Sequence, residues 1–248
     1  MNEVRGTVII TTHDSAHYLK RLLESMDAFN AGCDFELFVA DNASTDGTAE
    51  LLKKEFEARP NFKRLHLSKD NLWDHCIYNQ WIPSALTEYI LFLNADVRIL
   101  RDGWLISLIE EMEARSNPVG LLGLYAGECE KITPMNCPFE MEWIRDLYVK
   151  RIGLEFDNLG HVHQSMFFAR KTLFDVTGLF KILRVLSDRP DNIASEIEFS
   201  VRLREAGYAH IDSSEMRSHF YHFGQRFPCS TYEEILEREK SLRIPELP

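Results

Sequence analysis

The sequence predicts an α/β domain built on a doubly wound, mainly parallel sheet with helices on both faces. In the first half, short apolar runs rich in β-branched residues alternate with segments of helical spacing, which is typical of parallel βαβ units. The chain has 248 residues, of which 45% are hydrophobic, so a single domain can bury a large core. Several apolar runs also end in polar side chains, as strands do when a ligand crevice lies at their carboxyl ends.

The elements of the first half follow from local patterns. Strands are predicted at short apolar runs, residues 6–12, 35–41, 62–68 and 89–94. Helices are predicted where apolar residues recur with helical spacing, within residues 15–26, 44–58, 73–86 and 102–116. Ser15 stands where an N-cap belongs, and Pro83 is expected to disturb the third helix.

The second half is less regular. Its predicted elements are strands at 119–125 and 163–170 and helices at 171–180, 194–208 and 230–242. Gly178 and Gly207 are expected to end the first two of these helices, because glycine adopts the left-handed conformation found there. Ser195 is the predicted N-cap of the second helix, and Ser230 with Glu233 forms a predicted capping box for the last, a surface helix.

Composition excludes some classes of function. A net charge of −11 argues against a broad basic face for nucleic acid or an anionic membrane. A small anionic substrate stays open, because one bound divalent cation can reverse the local charge. The five cysteines are odd in number and form no C-x-x-C pair, which favours reduced thiols in a cytoplasmic protein. The sequence shows no signal-peptide pattern and no apolar stretch of roughly 20 residues, the length needed to span a bilayer. We therefore expect a soluble protein, although contact with a membrane surface stays open.

Polar side chains follow three of the predicted strands at the point where each strand ends. They are Thr11, Thr12, His13, Asp14, Asp41, Asn42, Asn94 and Asp96. Because the carboxyl ends of parallel strands lie along one edge of a sheet, loops far apart in sequence should converge on one crevice. This convergence is the strongest physical indication of a functional site.

Each carboxylate also has a structural interpretation. Asp14, Asp41 and Asp46 precede or open helices, where a carboxylate accepts free backbone N–H bonds. Asp96 differs, because no helix is predicted until several residues later. With Asn94 two positions earlier, it offers two oxygen donors that suit Mg2+ or Mn2+, although Asn-x-Asp is also common in turns.

Four stretches of the chain carry a resemblance to a known family. In order, they are VIITTHDSAHYLKRLLES, FVADNASTDGTAELL, YILFLNADVRI and ASEIEFSVRLREAGY. Together they resemble the family 2 glycosyltransferases of the GT-A fold, in particular the rhamnosyl- and galactofuranosyltransferase-like branch, which carries D-N-x-S-x-D-G-T and L-N-x-D-V. The match covers about residues 5–125 well and 160–225 more loosely.

The resemblance implies one GT-A (Rossmann-like) domain over residues 1–248. Residues 1–125 would form the nucleotide-sugar-binding half, 126–227 a less regular acceptor-binding half, and 228–248 a C-terminal helix and tail. The polar segment 181–192 contains a proline and is expected to be mobile.

The resemblance also implies roles for particular residues. Thr11 and His13 would flank the nucleotide base, and Asp41 would accept a hydrogen bond from the base N–H. Asp46 would brace this loop, and Asn71 would line the nucleotide pocket.

The metal site is implied in the same way. Asn94 and Asp96 occupy the place of the family's D-x-D motif, with Asp96 as the ligand of Mn2+ or Mg2+ and Asn94 as a ribose or sugar contact. His222, just ahead of Phe223 and Gly224, fits the family's metal-binding histidine better than His219 does. An isolated histidine can also be a satisfied structural residue.

The catalytic base is implied at the start of the helix at 194–208. The family has E-D-x-D there, and this chain has Ser195, Glu196, Ile197 and Glu198. Glu196 falls on the base position, with Glu198 as a second candidate. The alternative is that both carboxylates complement the helix dipole.

The sequence therefore predicts a metal-dependent, inverting transfer of a sugar from a UDP- or dTDP-linked donor to a glycan or lipid-linked acceptor. Such an enzyme would act in surface polysaccharide or glycoconjugate assembly. The alternatives are retaining transfer, nucleotidyl transfer on a similar fold, or a sugar-nucleotide-binding module without catalysis.

Overall fold

The structure is a computed structural model, and it describes residues 4–31, 34–126, 161–184, 192–224 and 229–248. Its strands are β1 Gly6–Thr12, β2 Phe35–Asp41, β3 Phe62–Leu67, β4 Tyr89–Asn94, β5 Val97–Ile99, β6 Val119–Ala126, β7 His161–Arg170, β8 Ala209–Asp212 and β9 Phe220–His222. Its helices are α1 Ala16–Ala28, α2 Thr48–Ala58, α3 Asp74–Trp81, α4 Trp104–Glu113, α5 Thr172–Thr177, α6 Asn192–Glu205, α7 Ser214–His219 and α8 Tyr232–Ser241.

Within these ranges, seven strands form a central sheet in the order β3-β2-β1-β4-β7-β6-β8. β1 pairs in parallel with β2 and β4, and β2 pairs in parallel with β3, as the alternation of strands and helices predicts. β7 runs antiparallel to both of its neighbours, β4 and β6. The predicted α/β class with a mainly parallel sheet flanked by helices is confirmed, and β7 is the departure from a wholly parallel sheet.

Both faces of the sheet are covered, which explains the unbroken apolar run of β4. Leu91 and Leu93 belong to the core cluster that includes side chains of α1 and α4. Ile90 and Phe92 point to the opposite face, and the Phe92 ring lies 4.7 Å from that of Tyr78 on α3. A strand buried on both faces needs apolar residues at every position rather than at alternate ones.

Most of the predicted helix ends are confirmed. Gly178 and Gly207 follow α5 and α6 with φ of 76° and 83°, in the left-handed region that favours glycine. Helix α3 ends at Trp81 and continues as a 3-10 turn, Ile82–Ser84, at the predicted proline. A proline ring lacks the N–H that an α-helix would require at this point.

Two predicted caps are wrong. Helix α6 begins at Asn192, so Ser195 lies inside it, where its hydroxyl oxygen accepts the N–H of Leu183 at 3.2 Å. Helix α8 begins one residue later than predicted, with Thr231 accepting the N–H of Glu234 at 3.2 Å. Because Ser230 and Thr231 both stand three residues before a glutamate, the local pattern does not choose between the two registers.

A two-stranded ribbon lies outside the central sheet and joins the two halves of the chain. β5 follows β4 after a tight turn and pairs antiparallel with β9.

Residues 185–191 of the segment predicted to be mobile lie outside the described residues, as do Cys33, Cys129 and Cys137. The other two cysteines, Cys76 and Cys229, are free thiols. Across the described ranges, every helix is too short or too polar to cross a membrane.

Candidate functional site

The polar ends of β1, β2 and β4 meet at one edge of the sheet. Thr12 is in register with Asp41 of β2, and Thr11 is in register with Asn94 of β4. The backbone N–H of Asn42 donates to the carbonyl of Thr12 at 2.8 Å, so the first two loops stay joined beyond the strands. We call this region, residues 11–16, 41–48 and 94–96, the carboxyl edge. The predicted convergence of the three loops is confirmed.

Asp14 holds the loop after β1 against the loop after β2. Its carboxylate accepts the backbone N–H of Thr45 at 2.6 Å, and its own N–H donates to the Ser44 hydroxyl at 2.8 Å. Its φ of 45° lies in the left-handed region, which aspartate tolerates better than most residues. The neighbouring His13 places Nδ1 2.7 Å from the carbonyl oxygen of Asn42, which fixes the plane of its half-exposed ring.

Asp46 joins the starts of two helices. One carboxylate oxygen accepts the N–H of Ala16, the first residue of α1, at 2.9 Å, and the other accepts the N–H of Thr48, the first residue of α2, at 3.1 Å. Partial burial would raise the pKa of Asp46, but these hydrogen bonds outweigh it and lower the pKa. The charged form is therefore the one that stabilises the loop.

Asp41 lies at the end of β2 and is only 2% exposed. The N–H of Ser44 lies 3.3 Å from each carboxylate oxygen, and the Ser44 hydroxyl donates to one of them. Asn71, which follows β3, is more peripheral: its side-chain oxygen accepts the N–H of Trp73 at 3.0 Å, and Trp73 has a φ of 63°. The Asn71 side chain thus shapes the turn into α3.

Thr11 and Asn94 form the floor between the loops. The Thr11 hydroxyl lies 3.4 Å from the side-chain oxygen of Asn94 and 3.4 Å from the hydroxyl of Tyr78. Thr11 is 2% exposed and Tyr78 is fully buried, whereas Asn94 is only partly buried. Asn94 is therefore the most exposed member of this group.

Asp96 and His222 come together from opposite halves of the chain. The His222 Nε2 atom lies 3.2 Å from a carboxylate oxygen of Asp96, and their side chains are 7% and 17% exposed. The β5–β9 pairing brings them together, because His222 is in register with Val97 and the N–H of Phe223 donates to the Asp96 carbonyl at 2.9 Å. His219 instead ends α7 and places Nδ1 2.9 Å from the carbonyl oxygen of Glu215.

The two glutamates of α6 have different surroundings. Glu198 is 9% exposed at its side chain and is paired with Lys181 at 2.6 Å and with Arg202 at 2.8 Å. Burial would raise the pKa of Glu198, but the hydrogen bonds from these two cations lower it. Glu196 is 6% exposed. Burial raises the pKa of the Tyr78 phenol, and the negative charges of Asp74 and, to a smaller extent, Glu196 add to this increase. Glu196 thus lies within electrostatic range of Tyr78, whose hydroxyl is 3.4 Å from that of Thr11.

Sequence reasoning missed Asp74, the first residue of α3. Its carboxylate accepts the side-chain N–H of Asn192 at 3.1 Å, and Asn192 begins the helix that carries Glu196. Burial, with the charge of Asp96 close by, raises the pKa of Asp74. In the sequence, an aspartate in a first helical turn resembles an ordinary dipole partner, so no local pattern distinguishes it.

Comparisons with known proteins agree with the fold. The model of glycosyl transferase family 2 matches residues 7–178. The mannosyltransferase PcManGT from Pyrobaculum calidifontis, in complex with GDP-Man and Mn2+, matches with 18% identity and a TM-score of 0.62, over 98% of this chain and 66% of that chain. S. aureus TarS 1-349 in complex with UDP-GlcNAc matches with 15% identity and a TM-score of 0.56, over 92% of this chain and 60% of that chain.

These structural likenesses establish the fold. The chain spans 66% of the first solved protein and 60% of the second, so each of them has substantial sequence beyond the match. No curated protein matches the chain.

Proposed function

Because the chain belongs to glycosyl transferase family 2, we propose that it transfers a sugar from a UDP- or dTDP-linked donor to a hydroxyl group of an acceptor. The observation that carries the proposal is the pairing of Asp96 with His222 at 3.2 Å, at the edge of the sheet where Asn94 ends β4 beside Thr11 of β1. A carboxylate and an imidazole at this edge suit a divalent cation that meets a diphosphate.

In this proposal, the carboxyl edge binds the nucleotide. Asp41 accepts a hydrogen bond from the base N–H, and its own bonds to the following loop hold it in one orientation. Thr11 and His13 flank the base, and the His13 side chain, 46% exposed, offers a ring face for stacking. Asn94 contacts the ribose or the sugar, and Asn71 lines the pocket from the turn before α3.

Asp96 and His222 have the chemistry to hold Mn2+ or Mg2+. Within the described residues, no three His, Cys, Asp or Glu side chains are gathered closely enough to enclose a metal by themselves. We therefore expect the diphosphate and water to supply the remaining ligands, as is usual for such cations. When bound, the metal would neutralise the negative charge of the departing diphosphate.

Glu196 is the proposed base that removes the proton from the acceptor hydroxyl as its oxygen attacks the anomeric carbon. A single displacement of this kind inverts the configuration of that carbon. Glu198 is the weaker candidate, because its carboxylate already pairs with Lys181 and Arg202. Its proposed role is to hold α6 in place beside Glu196.

The wider role is proposed from the motifs alone. The D-N-x-S-x-D-G-T and L-N-x-D-V patterns resemble the rhamnosyl- and galactofuranosyltransferase-like branch, so the acceptor is proposed to be a glycan or a lipid-linked glycan. The enzyme would then act in surface polysaccharide or glycoconjugate assembly. We propose that the protein is located in the cytoplasm, because its cysteines are odd in number and lack C-x-x-C spacing.

The test is calorimetry with UDP, dTDP and GDP, each with and without Mn2+, on the wild type and on Asp96→Ala. We expect Mn2+ to strengthen binding of one nucleotide to the wild type and to have no effect on the variant. Asp175→Ala is the matched control, because this aspartate is exposed and its helix, α5, follows Arg170, which pairs with Tyr89 at the amino end of β4. Equal, metal-independent binding by the wild type and Asp96→Ala would remove the metal assignment.

A further inference from the structure

The proposed metal site stands at one end of a small ribbon. β5 is only three residues long, Val97–Ile99, and its partner β9 is equally short, Phe220–His222. Asp96 precedes the first of these strands and His222 ends the second. Two strands of this length have too few backbone hydrogen bonds to keep a fixed position alone. Their position must come from the groups packed around them.

The middle residue of β5 is an arginine with no exposed surface. Arg98 is 0% exposed, ion-pairs with Glu239 of α8, and donates from Nη2 to the carbonyl of Pro245 at 2.6 Å. Arg21 of α1 reaches the same carboxylate, with its Nε 2.9 Å and its Nη2 2.6 Å from the two oxygens of Glu239. One buried carboxylate therefore joins the ribbon, the first helix and the last helix.

The charges in this cluster make Glu239 hard to replace. A buried charge is stable only when an opposite charge and hydrogen bonds compensate for its lost hydration. Glu239 is 4% exposed and lies between two guanidinium groups. Without its negative charge, Arg21 and Arg98 would face each other across a buried space. We expect the ribbon to shift in that case, because Arg98 would keep only the carbonyl of Pro245 among its described partners and would gain hydration by reaching water.

Further contacts keep α8 and the ribbon on α1. The Tyr232 hydroxyl of α8 donates to Glu24 of α1, and Ile235 is fully buried. From the ribbon, the N–H of Ile99 donates to the hydroxyl of Ser25 at 3.1 Å. Helix α8 is therefore packed on one side, although the sequence predicted only a surface helix.

We propose that Glu239 is a positioning residue for the donor site: by holding Arg98, it fixes the ribbon that sets Asp96 against His222. This inference rests on the proposed function of those two residues. The C-terminal helix is then part of the apparatus that binds the metal and the diphosphate, although it does not touch either of them.

The test compares Glu239→Gln with Glu237→Gln. The first substitution keeps the size of the side chain and removes the charge, and the second removes an exposed carboxylate, 72% exposed, of the same helix. Mn2+ affinity is measured in the presence of the nucleotide that binds best among UDP, dTDP and GDP, at a temperature where each variant is folded. We expect Glu239→Gln to bind Mn2+ about 10- to 100-fold more weakly, as for other groups that orient metal ligands, and Glu237→Gln to match the wild type.

Wild-type Mn2+ affinity in folded Glu239→Gln would overturn the inference, even if its melting temperature falls, because a purely structural role predicts that pattern. If Glu239→Gln does not fold, Arg98→Lys replaces it, since lysine keeps a cation beside Glu239 but loses the fork of donors. We expect weaker Mn2+ binding there too, and wild-type affinity would again overturn the inference. Absence of Mn2+-dependent nucleotide binding in the wild type is a different result, because it removes the proposed metal site itself.

Discussion

The carboxyl edge and helix α6 both carry acidic residues, but they use them in different ways. At the carboxyl edge, Asp14, Asp41 and Asp46 all accept backbone N–H groups from nearby loops. In α6, Glu198 is held by the side chains of Lys181 and Arg202. Carboxylates of the first kind define the shape of a loop, whereas one of the second kind ties a helix to its neighbours. Glu196 lies in the same helix as Glu198 and is proposed to serve neither purpose.

The largest effect is expected for Glu196→Gln. Removal of a general base costs roughly 10²- to 10⁴-fold in rate, whereas nucleotide binding should be unchanged because Glu196 does not belong to the carboxyl edge. The measurement is sugar transfer under saturating donor, with calorimetry of the nucleotide as the second readout. Transfer at the wild-type rate would favour a different base, and absence of transfer in both proteins would favour a binding module. The anomeric configuration of the product, determined by NMR, separates inverting from retaining transfer.

The next largest effect is expected for Glu198→Gln, and it is an effect on stability. Loss of the carboxylate costs about 2 kcal/mol, because the partly buried Arg202 loses a charged hydrogen-bond partner but keeps its bonds to the carbonyls of Thr177 and Leu179. Chemical denaturation at neutral pH measures this difference in the free energy of unfolding. Glu205→Gln, an exposed residue at the end of the same helix, should change stability by less than about 0.5 kcal/mol. An unchanged free energy of unfolding in Glu198→Gln would contradict the structural role.

This stabilisation should also depend on pH in a specific direction. The pKa of Glu198 is lower in the folded protein than its ordinary value of 4.5. Such a carboxylate contributes its full stabilisation above the unfolded pKa and loses it as the pH falls through the folded pKa. The difference between the wild type and Glu198→Gln should therefore be constant above about pH 5 and shrink below it. A difference that grows on acidification would contradict the assignment.

Features that depend on local sequence patterns could be predicted, whereas features that depend on contacts between distant residues could not. The strands, most helix ends and the convergence of the polar loops follow from local patterns such as the apolar runs and Gly178. The pairing of Asp96 with His222 required a ribbon between residues more than a hundred positions apart, and only family resemblance indicated it. Asp74 and Glu239 gave no local indication, because an acidic residue on a helix is most often solvated. Their roles depend on partners that only the folded chain brings close.

A smaller effect, on both stability and binding, is expected for Asp46→Ala. It removes the acceptor shared by the first N–H groups of α1 and α2, which costs about 1 to 2 kcal/mol by analogy with helix N-caps. Because the same loops carry His13 and Asp41, nucleotide affinity should fall together with stability. Asp46→Asn keeps one acceptor oxygen and should lose less of both. If Asp46→Ala is destabilised but keeps full nucleotide affinity, the loop that Asp46 holds does not contribute to nucleotide binding.

The smallest effect is expected at the start of α8, where two registers compete in the sequence. Thr231 accepts the N–H of Glu234, so Thr231→Ala should lower the free energy of unfolding by about 1 kcal/mol. Ser230 contributes its backbone N–H to the Glu234 side chain at 2.6 Å, and alanine keeps that group. Ser230→Ala should therefore be nearly neutral in thermal denaturation. A larger destabilisation by Ser230→Ala than by Thr231→Ala would contradict this assignment and would favour the Ser230 capping box predicted from the sequence. In the structure Thr231 is the N-cap, so the sequence predicts the start of this helix only to within one residue.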